Sequence, residues 1–424
     1  MALHATRALR SRNYRLYFAG QGVSLIGTWI TRIATSWLVY RLTNSELLLG
    51  VVSFVGQIPM LLLTPFAGVL VDRWNRHRIL VVTQILSAVQ SLALAILALT
   101  GVINVAELIV LQLFQGVIYA FDSPARQAFV IEMVESREDL PNAIALNSSI
   151  FNASRIIGPT IGGLMIAAIG EGWCFMADAI SYIAVIVSLL MMRFQRADAE
   201  RLPHAPMWEE LGSGFRFTLG FAPVRALLVI VAVGSVMGMP YSVLMPAIAS
   251  KGLHGGAHTL GILMTASGLG ALLATLYMAA RHTVVGLGRV ITVSTVILSI
   301  GLIAFSFSHS LWLSIVVLPL VGAGVMMQAA AANTILQTIV SEELRGRVMA
   351  LYSVAILGTQ PIGSLLAGVF ADRIGAQMTI LIGAVICLLS AVWFGFKRPA
   401  LAEQIRPIYI ELGLLQTMTI EERT

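Results

Sequence analysis

The sequence predicts an all-α integral membrane protein with twelve transmembrane helices arranged as two six-helix repeats. Three observations support this fold class: the composition, the number of long apolar runs and a match between the two halves of the chain. Of 424 residues, 58% are hydrophobic and only 11% are charged, and the mean hydropathy is +0.87. A soluble protein carries roughly 25% charged residues. Because so few charges cannot cover a water-facing surface, the chain is predicted to lie in a membrane.

Twelve apolar runs are readable, each near the ~20 residues that a helix needs to cross ~30 Å of hydrocarbon. They are Leu16–Tyr40, Leu47–Val71, Ile79–Leu99, Val105–Phe121, Ala143–Ile169, Trp173–Met192, Val224–Ile248, Leu260–Ala280, Val290–Phe307, Leu311–Asn333, Val348–Phe370 and Met378–Phe396. A transmembrane β-barrel would instead show short segments of alternating hydrophobicity. Helices also satisfy their own backbone hydrogen bonds inside lipid, so they are the expected elements.

The distribution of lysine and arginine predicts the orientation of the chain. With the amino terminus placed inside, 22 of the 27 basic residues fall in cytoplasmic segments and three in outer loops. This bias predicts that both termini are cytoplasmic and that the number of spans is even. The amino-terminal arginines precede a run that is too long for the core of a signal peptide. The net charge of +6 is explained by contact with lipid headgroups, and no nucleic-acid partner is expected.

The two halves of the chain resemble each other at an offset of about 205 residues. The segment 134–146 and the segment 339–351 share an acidic and basic loop followed by Ala-Leu, and each links the fourth to the fifth run of its half. Each is followed by a Gly/Pro-rich helix, at Gly158–Gly163 and at Gln360–Gly363. Two parallel repeats of this kind place a substrate site between them near the membrane midplane. Chance similarity between two apolar halves is the alternative.

Four segments follow from this pattern. They are an amino-terminal six-helix bundle at 1–192, a cytoplasmic linker at 193–223, a carboxy-terminal bundle at 224–396 and a cytoplasmic tail at 397–424. Within the linker, Met207–Phe217 is predicted to form a short amphipathic segment that lies on the inner leaflet.

A short polar turn between the second and third runs is a candidate cytoplasmic gate. Its gate residues are Gly68, Asp72, Arg73, Arg76 and Arg78. Asp72 is expected to accept hydrogen bonds from the amides that begin the next helix. The arginines are expected at the level of the lipid phosphates, where they can also reach carboxylates on a neighbouring helix. An ordinary basic loop is the alternative interpretation.

A second pair of gate candidates flanks Ser-Pro-Ala at the inner end of the fourth run. Asp122 and Arg126 are predicted to make a contact at the inner gate rather than to bind substrate.

The fifth run carries a cluster of small residues and one proline. Its members are Ser154, Gly158, Pro159, Gly162 and Gly163. Small residues let two membrane helices approach closely, and proline removes one backbone donor and kinks a helix. The cluster is therefore a predicted helix interface, either as part of the moving machinery or as ordinary packing.

Two opposite charges inside the spans are candidates for the transport path. Arg32 and Asp178 each lie about six residues from the outer end of their run, so we expect them to pair or to face one aqueous cavity. An unpaired arginine at this depth costs a few kcal/mol. One hypothesis is that Asp178 exchanges a proton during transport while Arg32 tunes it. A structural ion pair, or an Arg32 side chain that extends to the headgroups, is the alternative.

Four further polar residues in the spans complete the candidates for the transport path. Arg155 could bind an anionic group of a substrate or could hold carbonyl groups of a neighbouring helix. Gln57, Gln112 and Gln360 are expected to face protein or a cavity.

The sequence lacks the motifs expected of an ATP-driven pump or of a metal site. The chain has no G-x-x-x-x-G-K-[ST] sequence, so pumping driven by ATP is not expected. No run carries a His/Glu pair at metal spacing, and Cys174 and Cys387 are far apart in sequence. We therefore expect no cofactor, no metal, no disulfide and no enzymatic activity.

Several of these motifs resemble those of the major facilitator superfamily of transporters, over roughly residues 12–398. The resemblance is carried by Ser24–Trp29, the Asp72 turn, Ser123–Ala128, the Gly158-Pro159 motif and Arg345–Val348. Asn75 stands where the family usually has glycine, a departure that we expect a positive φ at asparagine to accommodate. Gln112 replaces the arginine of the family's R-x-x-Q-G motif, and Ser154 replaces a glycine of the fifth-helix motif.

The resemblance is closest to the drug and metabolite exporters that include enterobactin and macrolide exporters. It implies a monomeric, proton-coupled exporter of amphipathic small molecules in a bacterial inner membrane, working by alternating access. It also implies that the turn at Asp72–Arg78 latches the cytoplasmic ends in the outward-open form. Import or lipid flipping by the same fold is the alternative, and a membrane-embedded enzyme or channel is a third.

Overall fold

The computed structural model describes residues 7–134, 136–193, 215–281 and 283–415, with the backbone alone at positions 65, 69, 72 and 137. These ranges contain helices and no strand. The long helices are α1 (Arg12–Thr43), α2 (Glu46–Arg73), α3 (Arg76–Leu99), α4 (Val105–Met133), α5 (Leu140–Ile169), α6 (Glu171–Leu190), α7 (Ala222–Gly252), α8 (Ala257–Ala280), α9 (Leu287–Ser306), α10 (Leu311–Ile339), α11 (Glu342–Ile374) and α12 (Ala376–Glu411).

Each helix covers one of the predicted apolar runs, except that α6 ends two residues before its run does and α9 ends one residue before its run does. Asn104 begins α4 with a capping box, in which its side chain accepts from the amide of Glu107 and Glu107 accepts from the amide of Asn104. Ser45 and Asn75 cap α2 and α3 through the same kind of bond. These caps satisfy the amides that a helix leaves unpaired where it emerges from lipid.

Eleven helices in the described part of the chain are long and apolar enough to cross a membrane. The remaining long helix, α1, spans 32 residues, and Arg32 and other polar side chains lower its hydropathy. It contacts α2, α4, α5 and α6 and also reaches α7 and α8, so it runs through the middle of the assembly. The predicted fold class of twelve helices in two six-helix bundles is therefore confirmed.

The two bundles join through α2 against α11 and α5 against α8. One apolar core joins both bundles at the end that holds the α1–α2 turn at Asn44, which we call the closed end. At the opposite end, which holds the α2–α3 turn at Trp74, each bundle has its own core. We call this the open end, because the apolar packing there does not cross from one bundle to the other.

Two helices of the carboxy-terminal bundle are interrupted by π-helical turns. In α7 these turns are Gly234–Gly238 and Ile248–Gly252, and in α11 the turn is Val354–Gly358. The first of them is packed tightly, because a Cβ atom added at Gly363 of α11 would lie 2.5 Å from the carbonyl oxygen of Val236.

The carboxy-terminal helix is longer than the sequence predicts. It continues past Phe396 to Glu411, and Leu401 and Tyr409 are buried in the core of its own bundle. The amphipathic segment predicted at 207–217 lies mostly outside the described residues, which resume with a helical stretch at 215–220. The division of the chain at 192, 223 and 396 stays a prediction.

Candidate functional site

The contact between α5 and α8 brings two backbones together at glycines. The Cα atom of Gly261 lies 2.9 Å from where a Cβ atom of Gly163 would stand, and a Cβ at Gly261 would lie 2.7 Å from the carbonyl oxygen of Pro159. The hydroxyl groups of Thr160 and Thr265 are hydrogen bonded across the same contact, 2.8 Å apart. The prediction that this cluster forms a helix interface agrees with these contacts, and Gly163 and Pro159 face the opposite bundle.

Two other members of the cluster face α1 of their own bundle. Gly158 lies against the backbone carbonyl of Ile26, and Gly162 lies against the Cα atom of Ile30, both on α1. Ser154 is also buried. Helix α5 is therefore held against α1 on one side and against α8 on the other.

The contact between α2 and α11 has the same design. A Cβ atom at Gly50 would stand 2.7 Å from the carbonyl oxygen of Ser364 and 2.9 Å from the Cα atom of Gly368. Gly368 follows Gly163 by 205 residues, which is the offset between the two halves of the sequence. The two contacts are thus the same joint repeated by the internal repeat, although the sequence analysis identified only Gly163.

An ion pair links the two bundles at the closed end. The ammonium group of Lys251 on α7 lies 3.0 Å from the carboxylate of Glu46 on α2 and stands over the ring of Tyr40. Lys251 and Glu46 are separated by 205 residues in the sequence. Only the tertiary structure shows that they come from different bundles.

The predicted gate turn lies at the open end of the molecule. Arg73 and Arg78 are exposed, and a Cβ atom added at Gly68 would meet nothing within 4 Å. Gly346, at the matching end of α11, is equally free of neighbours. The side chain of Asp72 lies outside the described part of the structure, so its role stays a prediction.

Two details of that turn differ from the sequence analysis. The amide of Arg78 is capped by the side chain of Asn75, 3.0 Å away, so Asn75 is the residue that begins α3. The expectation of a positive φ at Asn75 is wrong, since its φ is −71° and a capping residue needs an extended backbone. The expected contact between a loop arginine and a neighbouring helix is present, from Arg76 to Glu132 of α4 at 2.8 Å.

Asp122 and Arg126 form a buried network inside the amino-terminal bundle. Asp122 accepts hydrogen bonds from Thr83 and Gln84 of α3 at 2.9 and 2.8 Å, and from Nε of Arg126 at 3.0 Å. These partners all belong to one bundle. In this conformation the pair ties α4 to α3, and its role as a contact at the inner gate stays a prediction.

Arg32 and Asp178 do not form an ion pair in this structure, and the alternative that both face one aqueous cavity stays a prediction. The carboxylate of Asp178 accepts a hydrogen bond from Ser91 of α3 at 2.7 Å and lies against Gly27 of α1. Gly27 and Arg32 are separated by about 140° around the helix and about 7.5 Å along it. Asp178 is therefore enclosed within the bundle, whereas Arg32 points to a different side of α1.

Arg32 and Arg155 are brought together instead. Arg32 is exposed although six other helices surround α1, so its side chain faces an internal space and not lipid. Arg155 of α5 is half-buried and is close enough to Arg32 for their like charges to repel. The guanidinium of Arg32 lies 5.2 Å from the centre of the Trp29 ring, which contacts Phe151 of α5 edge-on at 6.1 Å.

The three glutamines have different surroundings. Gln112 donates a hydrogen bond to Thr35 of α1 at 3.2 Å, one turn from Arg32. Gln57 bonds to Ser53 in its own helix, and Gln360 is buried after the π-helical turn of α11.

These features define what the arrangement can do. The bundles touch through two glycine joints, are packed together at one end and are separate at the other. Rigid bundles that meet at such joints can rotate to open one end while they close the other. Between them, near the middle of the helices, lie two arginines and two aromatic rings on α1 and α5. A site at this depth between parallel repeats is the arrangement of secondary transporters.

The chain belongs to the transmembrane secretion effector family, whose profile matches residues 4–406. It is 25% identical to the staphyloferrin A transporter of Staphylococcus aureus, over 90% of this chain and 95% of that protein. It is 28% identical to the multidrug efflux pump Tap of Mycolicibacterium fortuitum, over 86% and 91%. It is 24% identical to macrolide efflux protein A of Streptococcus pyogenes, over 90% and 95%.

Solved structures show the same fold. An inward-facing, unoccupied bacterial homolog of the human lysosomal transporter Spinster matches with a TM-score of 0.67 at 13% identity, covering 97% of this chain and 99% of that one. The nucleoside transporter NupG matches with a TM-score of 0.72 at 12% identity, covering 91% and 98%. The family match over residues 4–406 and the efflux relatives confirm the resemblance to the major facilitator superfamily.

Proposed function

We propose that this protein exports amphipathic small molecules across a bacterial inner membrane by alternating access and that protons drive the export. The observation that carries the proposal is the contrast between the ends of the molecule. One apolar core crosses between the bundles at the closed end, and each bundle has its own core at the open end. The staphyloferrin A, multidrug and macrolide relatives are named for transport or efflux, which supports export over import.

The basic residues support the orientation within this proposal. Because 22 of the 27 lysines and arginines fall on one side of the predicted topology, that side is assigned to the cytoplasm, with both termini. The open end is then the cytoplasmic end, and the conformation is inward-open. A single chain contains both bundles, so a monomer is sufficient for transport.

Asp178 is the proposed proton-carrying residue. Among the described residues, Asp122 and Asp178 are the carboxylates within the middle parts of the spans, and Asp122 is paired with Arg126. Asp178 has hydroxyl partners, Ser91 and Ser181, and the described part of the chain places no cationic group within 4 Å of it. A carboxyl group with neutral partners can gain and lose a proton without breaking an ion pair.

Everted membrane vesicles test the direction and the driving force. A panel of fluorescent amphiphiles is added outside vesicles whose interior is acidified, and uptake into the lumen reports export from the cell. We expect uptake that collapses when a protonophore dissipates the pH gradient. Transport in the opposite direction would establish import or lipid flipping, and uptake that persists without a gradient would overturn proton coupling.

A matched pair of substitutions tests the role of Asp178. We expect Asp178→Asn to abolish uphill, proton-driven uptake while leaving downhill exchange of the dye measurable. Asp372→Asn, at the end of α11, is the control and should transport like the wild type. Proton-driven uptake that survives in Asp178→Asn would exclude this residue as the proton carrier.

A further inference from the structure

We propose that Arg32 and Arg155 form an anion-binding site in the crevice between the bundles, so that the exported amphiphile carries a carboxylate or a similar acidic group. This inference names the substrate class of the proposed exporter and therefore rests on the proposed function. The acidic group would lie between the two guanidinium groups, and the apolar part of the substrate would lie on Trp29 and Phe151.

Two arginines without a carboxylate partner are energetically costly inside membrane helices. An arginine in the middle of a membrane helix costs about 2.5–3.5 kcal/mol on insertion scales, so intramembrane charges are functional by default. Here two like charges are placed near each other, and their repulsion adds to that cost. A bound anion removes both penalties at once, because it pairs with two guanidinium groups that offer several donors in fixed geometry.

The described part of the chain supplies no counterion to Arg32 or Arg155. Neither arginine has a carboxylate within 4 Å among the described residues, and both mid-span carboxylates of the same bundle are engaged elsewhere. The opposite bundle offers none at this depth. Its acidic residues within α7–α12 are Glu342, Glu343, Asp372, Glu403 and Glu411. All five lie near helix ends or in the extension of α12, so rotation of the bundles brings no acid to the pair.

Two aromatic rings, Trp29 and Phe151, lie beside the charges. Trp29 lies under the guanidinium of Arg32 and against Phe151, whose ring is 46% exposed. An exposed aromatic ring next to an unpaired cation suits a ligand that has an apolar body and an acidic group.

Polar side chains on α5 lie between Arg155 and the open end. Ser148 and Asn152 lie on the same face of α5 as Arg155, at spacings of four and three residues. Ser148 is exposed and Asn152 is half-buried, and both lie between Arg155 and the open end. A hydrated acidic group can therefore approach Arg155 without crossing a purely apolar surface.

Binding to purified protein in lipid nanodiscs tests the site without requiring transport. The probes are a diethylaminocoumarin carboxylate and the methyl ester of the same dye, followed by fluorescence anisotropy. A charge-assisted hydrogen bond contributes about 1.5–3 kcal/mol, which corresponds to a factor of at least about 10 in Kd. We expect Arg32→Gln and Arg155→Gln each to weaken carboxylate binding by about 10-fold or more and to change ester binding less than 2-fold.

Controls separate the site from general effects of charge. Arg12→Gln removes an exposed arginine near the open end of the same helix and should bind both dyes like the wild type. Arg32→Lys keeps the charge and should retain part of the preference for the carboxylate. If Arg32→Gln does not insert stably, Arg155→Gln and Arg32→Lys provide the same comparison.

The outcomes distinguish this inference from the proposed function. Equal binding of both dyes by the wild type, or unchanged carboxylate binding in both glutamine variants, overturns the anion site even if vesicles export the ester. Selective loss of carboxylate binding supports the site even if vesicles show no export, a result that would instead overturn the proposed function.

Discussion

The two six-helix bundles share one arrangement of helices but differ in what interrupts them. The amino-terminal bundle carries charged residues within its spans, namely Arg32, Arg155, Asp178 and the Asp122–Arg126 pair. In the described part of α7–α12, charged residues lie near helix ends or in the extension of α12. That bundle instead contains the three π-helical turns of α7 and α11.

The two repeats therefore keep the same helix positions but differ in content. The charged residues within spans lie in the amino-terminal bundle, and the π-helical turns lie in the carboxy-terminal bundle. In our proposals, Arg32 and Arg155 bind an acidic group of the substrate, and Asp178 carries a proton. The π-helical turns of α7 and α11 interrupt the regular hydrogen bonds of these helices, and a helix can bend at such points. Turns of this kind often occur at functional positions. Substitutions in each bundle can test this difference between them.

Removing a buried charge in the amino-terminal bundle should have the largest effect on stability. Asp122→Asn leaves the guanidinium of Arg126 without its carboxylate and weakens two further hydrogen bonds, so we expect a loss of about 3 kcal/mol. In the other bundle, Gln328→Leu removes bonds from an uncharged amide to Thr295 and to the carbonyl of Ile230, with an expected loss of about 1–2 kcal/mol. Thermal unfolding in detergent measures both, and equal losses would contradict the comparison.

Filling the tight contact beside a π-helical turn should be the next largest effect. A Cβ atom at Gly363 would lie 2.5–3.0 Å from three backbone atoms of Val236, so Gly363→Ala should destabilise the protein by about 2 kcal/mol and slow transport. Gly288→Ala is the matched control, because its Cβ would meet Arg398 at an ordinary 3.6 Å. The same unfolding assay should show no loss for the control. A Gly363→Ala protein as stable as the control would show that the break in α7 does not require this close approach.

Breaking the ion pair between the bundles should shift the conformation modestly. Lys251→Met removes the contact with Glu46, and because Lys251 is 58% exposed the pair contributes only about 1 kcal/mol. We expect a few-fold faster labelling of a cysteine placed at buried Ser364, in a background without the native cysteines. Unchanged labelling would mean that the shared apolar core and the glycine joints hold the closed end together without the ion pair.

The smallest effect is expected at the surface of the amino-terminal bundle. The hydrogen bond to Glu138 and the charge of Asp139 raise the pKa of Arg7 above its ordinary value. A raised arginine pKa stabilises the fold fully below the unfolded value and loses its effect only as the pH rises above it. The difference in stability between Arg7→Gln and the wild type should therefore be small and constant from pH 6 to 9 in unfolding experiments. A difference that changes across this range would assign a titration to this cluster.

The outcome at Arg32 illustrates the limit of sequence reasoning about the site. Depth along a helix follows from counting residues, so Arg32, Arg155 and Asp178 were correctly placed inside the spans. The side of α1 that faces a partner depends on which helix packs there, and Gly27, not Arg32, faces Asp178. The aromatic neighbours of Arg32 and the pairing of Lys251 with Glu46 likewise depend on contacts between distant segments. The match of Gly163 to Gly368 was available from the repeat offset alone.

The sequence by itself determined the membrane location, the number of helices, the internal repeat and the family motifs. These properties follow from composition and local spacing, because a bilayer admits only long apolar helices whose ends carry the charges. Only the tertiary structure decided that the closed end is sealed, that Arg32 lies near Arg155 and that Asp178 is enclosed among hydroxyl groups. Those relations depend on how helices rotate and pack against partners far away in the chain, and helical periodicity alone does not specify them.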